Sequence, residues 1–236
     1  NSRGSGEEKG IPMKSHLPLD DILEKFPALA LPDVAHGFVM RVPGVRMSLD
    51  KTEVLAQLRP WHDDVVQVLG FELGNLFTAE QIHGGETMAV TRDSPRWIGG
   101  VDGLMTNERG LMLGIHTADC APVYLVDPVK RAIALLHSGR KSTEAGITPR
   151  TIGLMAEAYG TQPADLIVQI GPCIRPPLFE VDIASKIVRD AITAGVPASQ
   201  VHDCGTCTGA TVDRYYSYRV EKGKTGRLLA LLGLCP

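Results

Sequence analysis

Three side chains far apart along the chain, His83, Cys120 and His137, combine types that do chemistry together. Each stands at or near the end of a short apolar segment. A strand end is a rigid platform, and a polar group there points into the crevice that a sheet edge opens. Cys120 and His137 belong to one stretch, VDGLMTNERGLMLGIHTADCAPVYLVDPVKRAIALLHSG, that begins at Val101 and ends at Gly139. A thiolate beside an imidazole is either a nucleophile with its base or a pair of ligands for a soft metal. Two imidazoles and one thiolate make a zinc set of the catalytic kind, with a fourth position left for water or substrate. In the nucleophile reading Cys120 attacks, His137 takes its proton, and Asp119 or another acid orients the ring. Asp119 adjoins Cys120, so on a regular strand it points to the opposite face and serves only if the chain turns at 118–122. A third reading is a buried structural thiol with hydrogen-bonded histidines. Spacing alone leaves all three open, because the residues are scattered and form no compact pair of C-x-x-C knuckles.

Other reactive types surround this set. Arg140 and Lys141 lie just beyond His137, and Arg41 closes an earlier apolar segment. Such cations either sit in solvated loops or capture phosphate and other anions. Cys204-x-x-Cys207 lacks a second pair and a strand–helix context, so it reads as a loop with two small thiols. Cys173 reads as a packed thiol and Cys235 as inert. His16, His36, His62, His116 and His202 have no evident partner and read as surface or singly hydrogen-bonded groups. Tyr215, Tyr216 and Tyr218 read as a packed wall.

The elements that must position these groups follow from periodicity. Apolar runs at 111–115, 123–126 and 132–136, bounded by Gly, Pro, Asp or Asn, predict buried strands. Further strands are expected at 37–41, at 76–83 with a hairpin partner at 86–91, and at 166–170. Residues 228–234 form a last apolar segment, strand or helix. Helical spacing appears at 17–26, at 52–58 and 63–69 with Pro60 between them, at 147–159, and at 183–194 with Asp182 as cap and Gly195 as stop. For the 147–159 helix the expected core positions are Ile152, Leu154, Met155, Ala158 and Tyr159. Strands and helices mix without strict alternation. The fold class expected is therefore α/β of an α+β-like kind, with mixed sheets and flanking helices.

Bulk properties narrow the partners. The 236 residues are 44% hydrophobic and 22% charged, an ordinary globular composition. The net charge of −3 disfavours a non-specific nucleic-acid binder. No apolar run approaches the roughly 20 residues of a membrane span. Residues 1–15 read as a flexible tail without a signal-peptide core, and 16–236 as one domain. Five cysteines, an odd number, suggest reduced thiols and a cytoplasmic location. The oligomeric state is not legible.

Several short motifs occur in order: Gln81-Ile82-His83-Gly84, Asp102-Gly103-Leu104, Thr117-Ala118-Asp119-Cys120-Ala121-Pro122-Val123, His137-Ser138-Gly139, Ile170-Gly171-Pro172-Cys173-Ile174, Phe179-Glu180-Val181, and Ser217-Tyr218-Arg219 followed by Thr225-Gly226-Arg227. Together they resemble the YfiH-type laccase-domain family, also called the multicopper polyphenol oxidase or purine nucleoside phosphorylase family. The resemblance runs from about residue 37 to residue 234 and implies layered mixed sheets of a cysteine-hydrolase-like fold. It implies that His83, Cys120 and His137 bind zinc, with copper as the alternative. It implies catalysis at those three residues: phosphorolysis of adenosine, inosine, guanosine and methylthioadenosine, and deamination of adenosine. Purine nucleoside and phosphate are the implied small-molecule partners. Arg41 matches the arginine closing the family's N-terminal strand near phosphate or substrate, and Gln81 the polar residue on the strand bearing the first histidine. Lys141 stands where the family has arginine, and Arg140 where it has tryptophan. The glycine pair usual after the N-terminal strand is absent. Alternatives are a copper polyphenol oxidase, a cysteine or metal hydrolase editing a peptidoglycan precursor, and a non-catalytic, metal-stabilised binding domain.

Overall fold

A computed structural model describes residues 19–236; the tail expected at 1–15 and His16 lie outside the described residues. In chain order the elements are β1 (Leu23–Glu24), β2 (Val34–Val39), α1 (Lys51–Val68), β3 (Leu76–Ala79), β4 (Thr87–Ala89), β5 (Trp97–Ile98), β6 (Gly103–Thr106), β7 (Met112–Thr117), β8 (Ala121–Asp127) and β9 (Ala132–Ser138). They continue with α2 (Arg140–Glu144), α3 (Ile147–Tyr159), β10 (Ile167–Ile170), α4 (Ile183–Thr193), β11 (Val201–Asp203) and β12 (Leu228–Leu234). The strands form two mixed sheets of six. One has the order β1-β2-β12-β7-β3-β5 and the other β11-β10-β8-β9-β6-β4.

Alternation along the strands shows how the layers stack. Tyr124, Val126, Ile133 and Leu135 of the second sheet share a core with Phe38, Leu113, Ile115 and Ala230 of the first. Their neighbours Val123, Leu125, Ala134 and Leu136 pack instead with Ile152 and Met155 of α3 and Ile187 of α4. The period of two therefore buries the central strands β8 and β9 on both faces. On the far side α1 lays Val54, Leu58, Val65 and Val66 into the first sheet's core. The result is helix, sheet, sheet, helix, the layered mixed architecture expected. Among the described residues, no helix is long and apolar enough to cross a membrane.

Several local expectations are corrected. Residues 19–26 form a 3-10 turn (Leu19–Asp21) and β1 rather than a helix, because β1 gains a ladder against β2. The two helical stretches at 52–58 and 63–69 are one helix, α1. Its buried stripe Val54, Leu58, His62, Val65 and Val66 runs straight past Pro60, which lies on the exposed side. There a missing N–H costs less, since water can satisfy the orphaned carbonyl. The strand at 76–83 stops at Ala79, and residues 87–89 pair with β6 in the other sheet instead of forming its hairpin. In α3, Ile152 and Met155 are buried as expected and Leu154 and Tyr159 partly so. Ala158 is exposed, and Ile147, Thr148 and Thr151 complete the buried face.

β3, β5 and β7 run parallel, so all three end at one edge of the first sheet. From each the chain crosses to the second sheet, where β4, β6 and β8 begin. β9 is antiparallel to β8 and β6, and so returns to the same edge. This shared edge is where the reactive residues gather.

His62 is buried under α1, and its Nε2 has no hydrogen-bond partner. Burial lowers its pKa from 6.5 to about 4. The unfolded chain therefore takes up a proton below pH 6.5 that the folded chain refuses until about pH 4. This contribution is intact above pH 6.5 and erodes as the pH falls, by up to about 1.4 kcal/mol per pH unit. Urea midpoints at pH 5 and pH 7 should differ less in His62→Leu than in the wild type; an equal difference would locate the acid sensitivity elsewhere.

Candidate metal centre

The three crossings and the end of β9 each supply one residue. The β3–β4 connection carries His83, the β5–β6 connection Asp102, the β7–β8 connection Cys120, and β9 carries His137. The donor atoms of His83, Cys120 and His137 all lie within 4.8 Å of one another. The two imidazole rings meet edge to face, with centroids 4.8 Å apart. One sulfur and two nitrogens at this separation suit a divalent ion of zinc-like preference, whose Zn–S and Zn–N bonds of about 2.3 and 2.1 Å require only modest contraction. Among the described residues this is the one group of three or more such ligands that converge.

Asp102 organises the set. Its side chain is fully buried. Oδ1 lies 2.8 Å from His137 Nδ1 and accepts the His83 amide at 2.9 Å; Oδ2 accepts the Gly84 amide at 2.7 Å. Its carbonyl also accepts the His137 amide at 2.7 Å. One carboxylate thus fixes a ring and the loop bearing another. With Nδ1 committed to Asp102, His137 turns Nε2 toward the other donors, the arrangement that raises ligand basicity in metal sites. The sequence reading named Asp119 as a possible orienter. The chain does turn there, with φ of +90° at Asp119, but its carboxylate is bonded to other groups. Thr208 Oγ1 donates to it at 2.7 Å and the Arg219 amide at 2.7 Å.

Backbone strain concentrates beside the donors. Gln81 and His83 sit at φ of +67° and +61°. Left-handed non-glycine residues cost about 1–3 kcal/mol each and persist where their surroundings over-determine them. Here the Gln81 amide both donates to the His116 carbonyl and accepts the His116 N–H at 2.9 Å. The other restraint is the Asp102 grip on His83 and Gly84. Gly139 closes the set from below: a Cβ added there would sit 2.7 Å from the Cys120 sulfur and 3.5 Å from the His83 ring.

Electrostatics favour the ligand form of the thiol. Burial alone would push the Cys120 pKa up, but the charge and hydrogen bond of His137, aided by His83, bring it down to about 6. For His137, burial is outweighed by Cys120 and Asp102, which raise it to about 9. Asp102 is pushed up by burial, yet its bonds from His137, Gly84 and His83 leave it below the usual carboxylate range.

A cavity of about 480 Å³ opens over the triad. Its wall includes Gln81, His116, Phe179 and Tyr218, and four cations, Lys51, Arg140, Arg219 and Arg227. Arg41 and Lys141 are not on this wall. Arg41 pairs with Glu221 at 2.6 Å and lies over the Tyr216 ring at 4.4 Å; Lys141 is exposed on α2. Sequence reasoning passed over Asp102 and His116. An acid between Val101 and Gly103, directly before a buried strand, was the available signal for the first. His116 read as partnerless, but its ring packs 5.6 Å from that of His62 and borders the cavity. His36 behaves as expected, with Nε2 accepting the Phe26 amide at 2.9 Å. Cys173 is fully buried, which pushes its thiol up. Cys204 and Cys207 join no converging ligand group among the described residues.

Two outcomes follow. In metal-stripped protein, alkylation of Cys120 by iodoacetamide should persist through neutral pH and fall off below about pH 6, while Cys173 stays inert. Peptide mapping reads this directly, and a Cys120 midpoint near 9 would contradict the thiolate assignment. Asp102→Asn should weaken zinc affinity by about 10–100-fold in a chelator competition, as loss of an orienting carboxylate does elsewhere; unchanged affinity would remove Asp102 from its role.

A family model described as multi-copper polyphenol oxidoreductase laccase matches residues 47–192 and 180–235. The purine nucleoside phosphorylase YlmD of Geobacillus stearothermophilus is 28% identical over 228 residues, covering 80% of this chain and 82% of that protein. The purine nucleoside phosphorylase SCO2081 of Streptomyces coelicolor is 33% identical over 193 residues, covering 70% and 78%. The crystal structure of the Geobacillus YlmD superimposes with a TM-score of 0.77 at 25% identity, covering 92% of this chain and 100% of that one. The YfiH structure of Bacillus licheniformis has the same fold, with a TM-score of 0.77 at 24% identity over 85% of this chain and 92% of its own. The matched span contains the convergent histidines and cysteine, and with them this chain belongs to the multi-copper polyphenol oxidoreductase laccase family, whose YfiH-type motifs it carries in order.

Proposed function

We propose that the chain is a zinc-dependent enzyme of purine nucleosides, cleaving them with phosphate and deaminating adenosine. The observation that carries this reading is the triad of His83, Cys120 and His137 at the floor of a cavity with a cationic and aromatic wall. The names of the related phosphorylases support the substrate class. A bound zinc supplies Lewis acidity at the cavity floor. The chain's own groups do the rest. Asp102 holds His137 in one tautomer and keeps the His83 loop in place. Gln81 anchors the β7 main chain against the same loop, which makes it a positioning residue at the cavity edge. Phe179 and Tyr218 offer flat faces for a purine base. The wall cations favour a phosphate anion. Arg41 and Lys141, the residues suggested by resemblance for that task, lie off this wall: Arg41 is paired with Glu221 and Lys141 is exposed on α2.

In phosphorolysis a phosphate oxygen forms a bond to the ribose anomeric carbon, the C1′–N9 bond breaks, and the purine leaves with that electron pair and a proton. In deamination water adds at C6 of adenine and ammonia departs. Zinc is preferred over copper because one S,N,N set suits a single redox-inert ion, whereas a multicopper centre needs further histidine clusters.

Purified protein incubated with adenosine and phosphate should yield inosine, adenine and ribose 1-phosphate. His83→Ala and Cys120→Ala should lower these rates by about 100-fold or more. Elemental analysis should find about one zinc per chain. Activity that survives chelation yet dies on thiol alkylation would favour cysteine-based hydrolysis instead. Several coppers per chain with phenol oxidation would favour the oxidase. Loss of folding on chelation with no turnover would leave a metal-stabilised binding domain.

A further inference from the structure

The four cations on the cavity wall are not equivalent. Arg140 donates to Glu144 at 3.0 Å and to Glu180 at 3.4 Å, and Arg219 donates to Glu180 at 3.1 Å. Those two charges are answered from within the protein. Lys51 and Arg227 are not. Among the described residues neither pairs with a carboxylate, and the Arg227 Nη1 donates only to the adjacent Gly226 carbonyl, at 2.8 Å.

The two unanswered cations lie close enough to feel each other. Lys51 is held below its usual pKa by burial and by the Arg227 charge, against the opposing pull of Glu80 and Asp102, and His116 well below by burial, His62, Lys51 and Arg227. The thiol of Cys120 is near enough to act on Arg227. Two cations on one cavity wall with no carboxylate in ion-pair contact keep donors free for an arriving anion, which gains charge-assisted hydrogen bonds there. Both residues stand on rigid supports. Lys51 opens α1, which Asp50 caps, and Arg227 immediately precedes β12, the strand that pairs with both β2 and β7. Gly226 presses so closely on the Tyr216 ring that a Cβ would come within 2.4 Å of it, which fixes the approach to Arg227.

We propose that Lys51 and Arg227, beside the His116 wall, form the phosphate subsite of the cavity. The inference rests on the phosphorolytic reading. Arg227 presents a planar fork to two phosphate oxygens and Lys51 a point charge to a third. Arg140 and Arg219, already held by Glu180, line the same cavity.

The test uses the zinc-loaded 236-residue chain and inorganic phosphate. Arg227→Gln and Lys51→Met should each raise the phosphate Kd by calorimetry, and the KM for phosphate, by about 10-fold, the loss of one charge-assisted contact. The KM for nucleoside should move less than about twofold, and Arg227→Lys should recover part of the loss. Unchanged phosphate affinity in both folded variants overturns the subsite, as does a larger loss in Arg140→Gln than in Arg227→Gln. Phosphate binding that depends on Lys51 and Arg227, without ribose 1-phosphate formation, keeps the subsite and rejects the phosphorylase reading.

Discussion

A single buried carboxylate holds the candidate centre together. Asp102 receives the His137 ring on one oxygen and the amides of His83 and Gly84 across both. A buried charge is tolerable only when its lone pairs are filled. Here the groups that fill them belong to the two segments bearing the imidazoles of His83 and His137. The electrostatic need of one residue therefore becomes the positional constraint on two others. Without that acid, the left-handed turn at His83 would lose its restraint, and the His137 ring would lose its preferred tautomer.

The fold makes such convergence economical. Three parallel strands of one sheet end at a common edge, and from each the chain passes to the facing sheet. Each passage is short and must satisfy its own backbone groups, so each is polar and precisely routed. His83, Asp102 and Cys120 meet because all three passages share one end of the sandwich, and β9 returns His137 to that end. The apolar layer beneath, from Phe38 to Leu135, supplies the rigidity. The cavity above takes its walls from segments that carry less of the core: the approach to α4, the 217–227 region and the first residue of α1.

Much of this was legible in the chain. The short continuous apolar runs at 111–115, 123–126 and 132–136 carry enough burial to announce strands, and the Asp182 cap with its Gly195 stop bounds α4 well. The donor triad was visible as residue types at strand ends. What stayed hidden was non-local. Which strands share a sheet is decided by pairing between distant segments, so residues 87–89 looked like a hairpin partner of β3 when they belong beside β6. Pro60 looked like a break because its local penalty is easy to see and the continuous buried stripe across it is not. Asp102 looked ordinary because its value lies in three contacts that only the folded chain creates. Adjacency to His137 put both Arg140 and Lys141 forward; Arg140 borders the cavity and Lys141, the next residue on α2, does not.

Gly139 carries a last implication. The hydrogen on its α-carbon is the largest substituent the thiol and the neighbouring ring can accommodate. The segment leading into α2 is therefore free to vary in charge, as Arg140 and Lys141 show, but has no latitude in bulk one residue earlier. Side chains of any size can be exchanged only higher up, at the rim of the cavity, while beside Gly139 the floor admits no added atom.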